Sequence, residues 1–202
     1  MRVIGITGSS GSGKTTVCEI IKKLYNSEVL DADKVAKELS SDINSNYYKE
    51  MVKLFGEECV LENKLLNRRK IAEIIYQDDI KRKSLNDLTF NYVVEKIKKN
   101  LSEIKDKELV IIDAPLLYEA GVDKICDKVI AIIADKNNKV RRICLRDGID
   151  EVFAKKRLLI QNEDDFYIKK ADYIIYNNKD IKELEESIKK VLEEKWKSFL
   201  IY

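Results

Sequence analysis

Short apolar runs alternate along this chain with longer stretches whose apolar residues recur every three or four positions. That alternation predicts an α/β protein. Five runs read as strands: Val3-Ile4-Gly5-Ile6, Glu28-Val29-Leu30-Asp31-Ala32-Asp33, Leu109-Val110-Ile111-Ile112, residues 128–134, and Tyr173-Ile174-Ile175-Tyr176. After the first strand, Val17, Ile20, Ile21 and Leu24 form the i, i+3, i+4, i+7 stripe of an amphipathic helix. Residues 44–105 carry a helical pattern throughout, through Tyr47, Met51, Leu54 and Phe55, then Ile71, Ile74 and Ile75, then Leu85, Leu88, Tyr92, Val93 and Ile97. This predicts one long helical insertion between the second and third strands. Residues 138–162 read as a helix, and from Asp180 the stripe Ile181, Leu184, Ile188, Val191, Leu192, Trp196 and Phe199 marks a terminal helix that packs on the sheet. The chain shows no internal repeat, low-complexity tract or Pro/Gly/Ser linker.

Between the first strand and its helix lies Gly8-Ser9-Ser10-Gly11-Ser12-Gly13-Lys14-Thr15, which matches G-x-x-x-x-G-K-[ST]. Its glycines allow successive N–H groups to point inward, and with the positive end of the following helix they make a cradle for phosphate oxygens. Lys14 reaches the β- and γ-phosphates in such a loop, and the Thr15 hydroxyl sits on Mg²⁺. The bland alternative is a flexible turn before a lysine; a chance match in a chain of this length is on the order of one in a hundred. The strand before the loop and the helix after it favour the phosphate site.

Composition narrows the chemistry. The chain has 202 residues, enough for one α/β domain or one core domain with insertions. Its 38 basic and 36 acidic residues nearly balance, so no global field toward a polyanion or membrane surface follows. There is no histidine, so any proton acceptor should be a carboxylate. Cys18, Cys59, Cys126 and Cys144 are scattered without a C-x-x-C pair, the chain opens on a strand instead of a signal sequence, and no apolar stretch approaches a membrane span. A reduced, cytoplasmic setting is expected.

Further candidates sit at strand ends. Asp31 and Asp33 fall at the carboxyl edge of the second predicted strand, the edge where open parallel sheets bind ligands. The alternative is that Asp33 merely caps a helix starting near Lys34. Leu109-Val110-Ile111-Ile112 ends in Asp113, the place where many phosphate sites put the acid of the Mg²⁺ shell. Asn67 reads as an N-cap followed by Arg68, Arg69 and Lys70, where the helix dipole disfavours positive charge, so an anion could compensate them. Arg142 and Arg146 lie one turn apart, with Arg157 beyond, either as a cover that neutralises a transferring phosphoryl group or as a solvated face.

Taken together, the glycine loop, the Asp31-Ala32-Asp33 edge, the Leu66-Asn67-Arg68 helix start, Asp113-Ala114-Pro115-Leu116-Leu117-Tyr118-Glu119, the Arg146-Asp147 pair and Ala171-Asp172-Tyr173-Ile174-Ile175-Tyr176-Asn177 resemble the dephospho-CoA kinase family nearly end to end. The resemblance implies a P-loop NTPase fold, a five-stranded parallel sheet flanked by helices with a helical substrate-binding insertion and a helical lid. Residues 1–33, 107–136 and 171–202 would form the nucleotide-binding core, 34–106 the acceptor region and 137–170 the lid. The implied activity is ATP-dependent phosphorylation of the ribose 3′-hydroxyl of dephospho-CoA to coenzyme A, the last step of CoA biosynthesis. Asp33, Lys14 and Arg146 match catalytic positions. ATP would meet Gly8, Gly11, Ser12, Gly13, Lys14, Thr15, Thr16, Arg142 and Asn177, and the acceptor Asp31, Arg68, Asp113 and Leu116. Mg²⁺ would sit on Thr15, with Asp113 reaching it through water. The expected partners are the small molecules ATP and dephospho-CoA, without nucleic acid or membrane, for a monomer. The chain departs from the family at Phe90-Asn91, where His-Pro is usual, and at Asn177-Asn178-Lys179, where Asn-x-Gly is usual.

Two other classes compete. Another P-loop kinase, acting on a nucleoside monophosphate or a different small alcohol, lacks the Asp31-Ala32-Asp33 and Pro115-Leu116-Leu117-Tyr118-Glu119 signals. A GTPase-type switch would carry N-K-x-D, and Asn178-Lys179-Asp180-Ile181 lacks the final acid.

Overall fold

β1 (Arg2–Thr7) is central in a five-stranded sheet. In the computed structural model, which describes residues 1–194, the strands follow the order β2-β3-β1-β4-β5. The others are β2 (Ser27–Asp31), β3 (Leu109–Asp113), β4 (Lys128–Ile133) and β5 (Tyr173–Tyr176). β1 runs parallel to β3 and β4, and β4 runs parallel to β5. Strands buried on both faces read as unbroken apolar runs. This is why Val110, Ile111 and Ile112 are wholly inaccessible, as are Ile130, Ala131 and Ile132.

The Cα framework divides into two compact units, one of residues 1–29, 106–117 and from 123 onward, the other of residues 30–105 and 118–122. In the first, α1 (Lys14–Leu24) turns Val17, Ile20 and Ile21 onto the sheet beside Ile4, Ile6, Ile111 and Ile132. α9 (Ile181–Lys189), capped by Asp180, buries Leu184 and Ile188, and a π turn at Lys190–Glu194 continues the same apolar face through Val191 and Leu192. Trp196 and Phe199 lie outside the described residues.

In the second unit α2 (Ala32–Ser41), α3 (Asn46–Phe55) and α4 (Arg68–Gln77) all pack against α5 (Asp79–Glu103). Tyr47, Met51, Phe55, Leu66 and Ile71 form its core. The helical insertion is therefore real but broken. Gly56 at φ 86 ends α3, a 3-10 turn follows at Glu57–Cys59, and Val60 and Leu66 pair as an isolated antiparallel bridge. The predicted single helix over 138–162 is likewise two, α6 (Lys136–Asp147) and α7 (Glu151–Leu159). Gly148, left-handed at φ 64, closes the first, and the side chain of Asp150 caps the second. A further short helix, α8 (Asp164–Lys170), precedes β5.

Among the described residues no helix is long and apolar enough to cross a membrane. Among the described residues none of the four cysteines forms a disulfide. Burial pushes Cys126 up to about 12.

Candidate active site

The glycine loop between β1 and α1 is pressed against its neighbours so closely that side chains would not fit. A Cβ on Gly8 would lie 2.3 Å from the Ile132 carbonyl oxygen, and one on Gly13 would lie 2.1 Å from Nδ2 of Asn177. Both glycines also hold positive φ, 137° and 98°. Gly13 is the N-cap of α1, where no side chain caps the helix and no acid occupies the first turn. The positive end of α1 is thereby left to an external anion. The Lys14 ammonium lies along the loop, donating to the carbonyl oxygens of Gly8 at 2.7 Å and Ser9 at 3.2 Å. Ser12 is fully buried beneath Gly8, and its N–H donates to Ser9 O across the turn.

Thr15 and Thr16 stand in the first turn of α1, Thr15 exposed and Thr16 half-buried. Asp113 ends β3 in register with Ile6, which places its carboxylate at the sheet edge beside the start of the loop. These are hard oxygen donors. Among the described residues no three His, Cys, Asp or Glu side chains cluster as a metal cage. A hydroxyl and one carboxylate at this edge fit Mg²⁺, which keeps most of its six positions for water and phosphate oxygens. Past Asp113 the chain turns, exposing Leu116 and burying Leu117 against Gly5, a position where a Cβ would come 2.6 Å from Leu117 Cδ1.

α6 supplies the opposite wall. Arg142 donates from Nη1 to the carbonyl oxygens of Gly11 (3.2 Å) and Ser12 (3.3 Å), and from Nη2 to Asn177 O (2.9 Å). Burial holds its guanidinium below its ordinary value. Asn177, buried at the end of β5, donates from Nδ2 to Ser12 O at 2.8 Å. One turn on, Arg146 donates to the Ser10 hydroxyl at 3.2 Å and forks onto Asp147, with Nε and Nη2 at 2.8 and 2.9 Å from its two carboxylate oxygens. Arg157 donates to the same carboxylate. The hydrogen bond from Arg146 is the main reason that Asp147 lies below the usual carboxylate range, and Arg146 is raised in turn. The two arginines thus both face the loop. Arg142 meets its carbonyls, while Arg146 meets a hydroxyl at its outer rim.

Two contacts on the loop, and the acid that anchors one of them, went unread in the sequence. Lys139 of α6 is buried, donating to Ser9 Oγ and to both oxygens of Asp164. Gln161 accepts from the Ser10 N–H at 2.8 Å. Lys139 stands at i, i+3, i+7 with Arg142 and Arg146, so the polar stripe of α6 carried a signal for it; Gln161 lies inside the stretch read as helix and Asp164 just past it, and neither carried one.

In the second unit the cap of α2 falls on Asp31 and not on Asp33. β2 ends at Asp31, whose Oδ1 accepts from Lys34 N at 2.9 Å and caps α2. Asp33 lies exposed in the first helical turn, not at the strand edge and not at the cap. The strand stops at Asp31 because that residue already caps α2 and Ala32 buries as the first helical residue. Asn67 does cap α4, accepting from Lys70 N. The basic residues behind it are engaged: Arg68 donates to Ser40 Oγ, Arg69 to Glu73, and Lys70 to Glu58 O.

A parallel sheet whose first strand feeds a glycine loop, a lysine and an uncapped helix start defines a P-loop NTPase. The profile of the dephospho-CoA kinase family matches residues 2–183. A dephospho-CoA kinase of Fusobacterium nucleatum is 34% identical over 191 residues, 95% of this chain and 97% of that one. One from Aquifex aeolicus is 36% identical over 206 residues, covering 96% and 97%. The solved structure of dephospho-CoA kinase from Campylobacter jejuni superposes with a TM-score of 0.69 at 27% identity, across 98% of this chain and all of that one (100%). The chain belongs to the dephospho-CoA kinase family.

Proposed function

We propose that this enzyme transfers the γ-phosphoryl group of ATP to the ribose 3′-hydroxyl of dephospho-CoA, giving coenzyme A and ADP. The observation that carries the reading is the uncapped, acid-free start of α1 behind a loop closed by Lys14, in a chain of this family. In the reaction the acceptor oxygen forms a bond to the γ-phosphorus, the bond from that phosphorus to the β–γ bridging oxygen breaks, and the hydroxyl proton leaves to a carboxylate. With no histidine in the chain, Asp33 is the proposed acceptor of that proton.

Most of the catalysis in such a transfer is positioning and charge stabilisation. Lys14 exchanges its loop carbonyls for β- and γ-phosphate oxygens, and the N–H groups of Gly11, Gly13, Thr15 and Thr16 complete the cradle. Gly8 and Ser12 shape the loop, and Arg142 and Asn177 hold it through its carbonyls. Arg146 is the proposed grip on the transferring group, its planar fork suited to two phosphate oxygens at once. Thr15, with Asp113 through water, would hold Mg²⁺, which supplies neutralisation of the β- and γ-phosphate charge. Asp31, Arg68, Asp113 and Leu116 are the proposed acceptor contacts. In this reading residues 1–33, 107–136 and 171–202 serve the nucleotide, 34–106 the acceptor, and 137–170 the cover.

The test is ADP release from ATP and Mg²⁺ with dephospho-CoA, adenosine, nucleoside monophosphates, shikimate and gluconate as separate acceptors. Dephospho-CoA alone should stimulate strongly, because remote parts of an extended substrate contribute to positioning its reacting hydroxyl. Stronger stimulation by a nucleoside monophosphate or a sugar acid would leave only a generic P-loop kinase.

A further inference from the structure

Lys139 carries a buried charge in a position that the phosphate chemistry above does not use. It projects from α6, is 8% exposed, and places Nζ 2.9 Å from each oxygen of Asp164, the first residue of α8. The same ammonium reaches the Ser9 hydroxyl at 3.3 Å. A long flexible side chain is fixed in this way only when its charge is paired and its remaining donors are met. The lysine backbone is also part of the contact, since a Cβ on Gly11 would come within 2.6 Å of Lys139 O.

Ser9 is the residue through which this matters. It is 4% exposed, and its carbonyl oxygen accepts both from the Lys14 ammonium (3.2 Å) and from the Ser12 N–H (3.2 Å). Side chain and carbonyl of one loop residue are therefore held from opposite sides. Hydrogen bonds run in sequence from Asp164 through Lys139 and Ser9 to Lys14. A shift of Ser9 displaces the carbonyl against which Lys14 is set and opens the turn that aligns the following N–H groups.

We propose that Lys139 is a positioning residue for the phosphate loop, acting through Ser9 on Lys14, with Asp164 as its anchor. The proposal rests on the loop being an ATP-phosphate site and not on the identity of the acceptor. Preorganisation of such a loop has kinetic weight, because a misplacement near 1 Å can cost on the order of a hundredfold.

The test is a double-mutant cycle on ATP affinity, which needs no acceptor. Lys139→Met keeps the length and removes the charge, Ser9→Ala removes the gripped hydroxyl, and Asp164→Asn removes the anchor. Dissociation constants for ATP are measured by calorimetry on each, with thermal unfolding run alongside. Lys139→Met and Ser9→Ala should each weaken ATP binding by about tenfold, and the double variant by no more than either, because coupled residues are non-additive. Lys139→Arg, which can still bridge Asp164 and Ser9, should recover most of the loss. Should Lys139→Met fail to fold, the same cycle with Lys139→Gln and Asp164→Asn reads the coupling. ATP affinity within twofold of wild type in the folded variants, or losses that multiply in the double, would overturn the proposal and leave Lys139 a tie between α6 and α8. Failure of the acceptor reading would show instead as normal ATP binding with no stimulation by dephospho-CoA in the unaltered enzyme.

Discussion

Gly13→Ala tests how the loop is built, and its cost divides into two parts that a second substitution separates. The new methyl would start 2.1 Å from the Asn177 amide nitrogen, far inside contact distance, so Asn177 must swing away and lose its 2.8 Å bond to Ser12 O. A buried neutral hydrogen bond contributes about 1 kcal/mol net. Alanine must also adopt φ 98°, which costs ~1–2 kcal/mol for an L-residue. The folded state should lose about 2–3 kcal/mol, or roughly 5–10 °C in Tm for a chain of this size. Asn177→Ala alone forfeits that hydrogen bond and the longer one its Oδ1 accepts from Arg142 at 3.4 Å, together about 1 kcal/mol. The double variant retains the backbone strain but no longer collides, so it should cost no more than Gly13→Ala alone, a coupling of about 1 kcal/mol. Thermal unfolding followed by circular dichroism measures all three. Strict additivity, or a Gly13→Ala variant within about 2 °C of wild type, would mean that the loop is not set by its approach to the end of β5.

Three other outcomes follow from the same geometry. Asp33→Asn should lower kcat by on the order of 10²-fold or more while ATP binding persists; because Asp31 caps α2, its stability should move by no more than about 1 kcal/mol, and a large loss of Tm with kcat retained would assign Asp33 a structural role. Arg146→Lys keeps the charge but loses the fork, so kcat/KM for ATP should fall about tenfold, and an unchanged value would return Arg146 to a surface pair with Asp147. The Tyr25 hydroxyl donates to Glu193, and burial, with that hydrogen bond, pushes it from 10.0 up to about 12. Its folded value is raised, so this contribution to stability is complete below pH 10.0, the ordinary value, and is lost as pH rises toward about 12. Tyr25→Phe should remove one late-titrating phenol from the alkaline absorbance curve, and an unaltered late phase would refute the pairing.

The sheet was legible because its strands are apolar runs bounded by polar residues, a signal independent of distant contacts. β5 falls on the expected residues, and β1 and β4 differ by a residue or so at their ends. Helix breaks were harder to read. Gly148 is an ordinary αL cap, yet Val152, Leu158 and Leu159 continue an apolar pattern past it and conceal the interruption. The bridge of Val60 with Leu66 hides in the same manner, since Cys59 and Leu66 bury as helical residues would. α8 is seven residues long, too short to establish a period. At the site, the glycine loop announced itself because its chemistry is encoded in consecutive residues. Lys139 and Asp164 are 25 positions apart and meet only through the fold, so no local pattern joins them. Which of Asp31 and Asp33 caps α2 turned on a two-residue boundary, where strand and cap signals overlap.

The most direct measurement of the central claim is the position at which phosphate arrives. Dephospho-CoA and its 3′-deoxy analogue are incubated separately with ATP and Mg²⁺, and the products are analysed by mass and ³¹P NMR. Dephospho-CoA should gain one phosphoryl group, giving a 3′-phosphomonoester identical to coenzyme A with one ADP released per product, and the deoxy analogue should remain unmodified. Phosphorylation of the deoxy analogue, or a product phosphorylated anywhere other than the 3′-oxygen, would contradict the account.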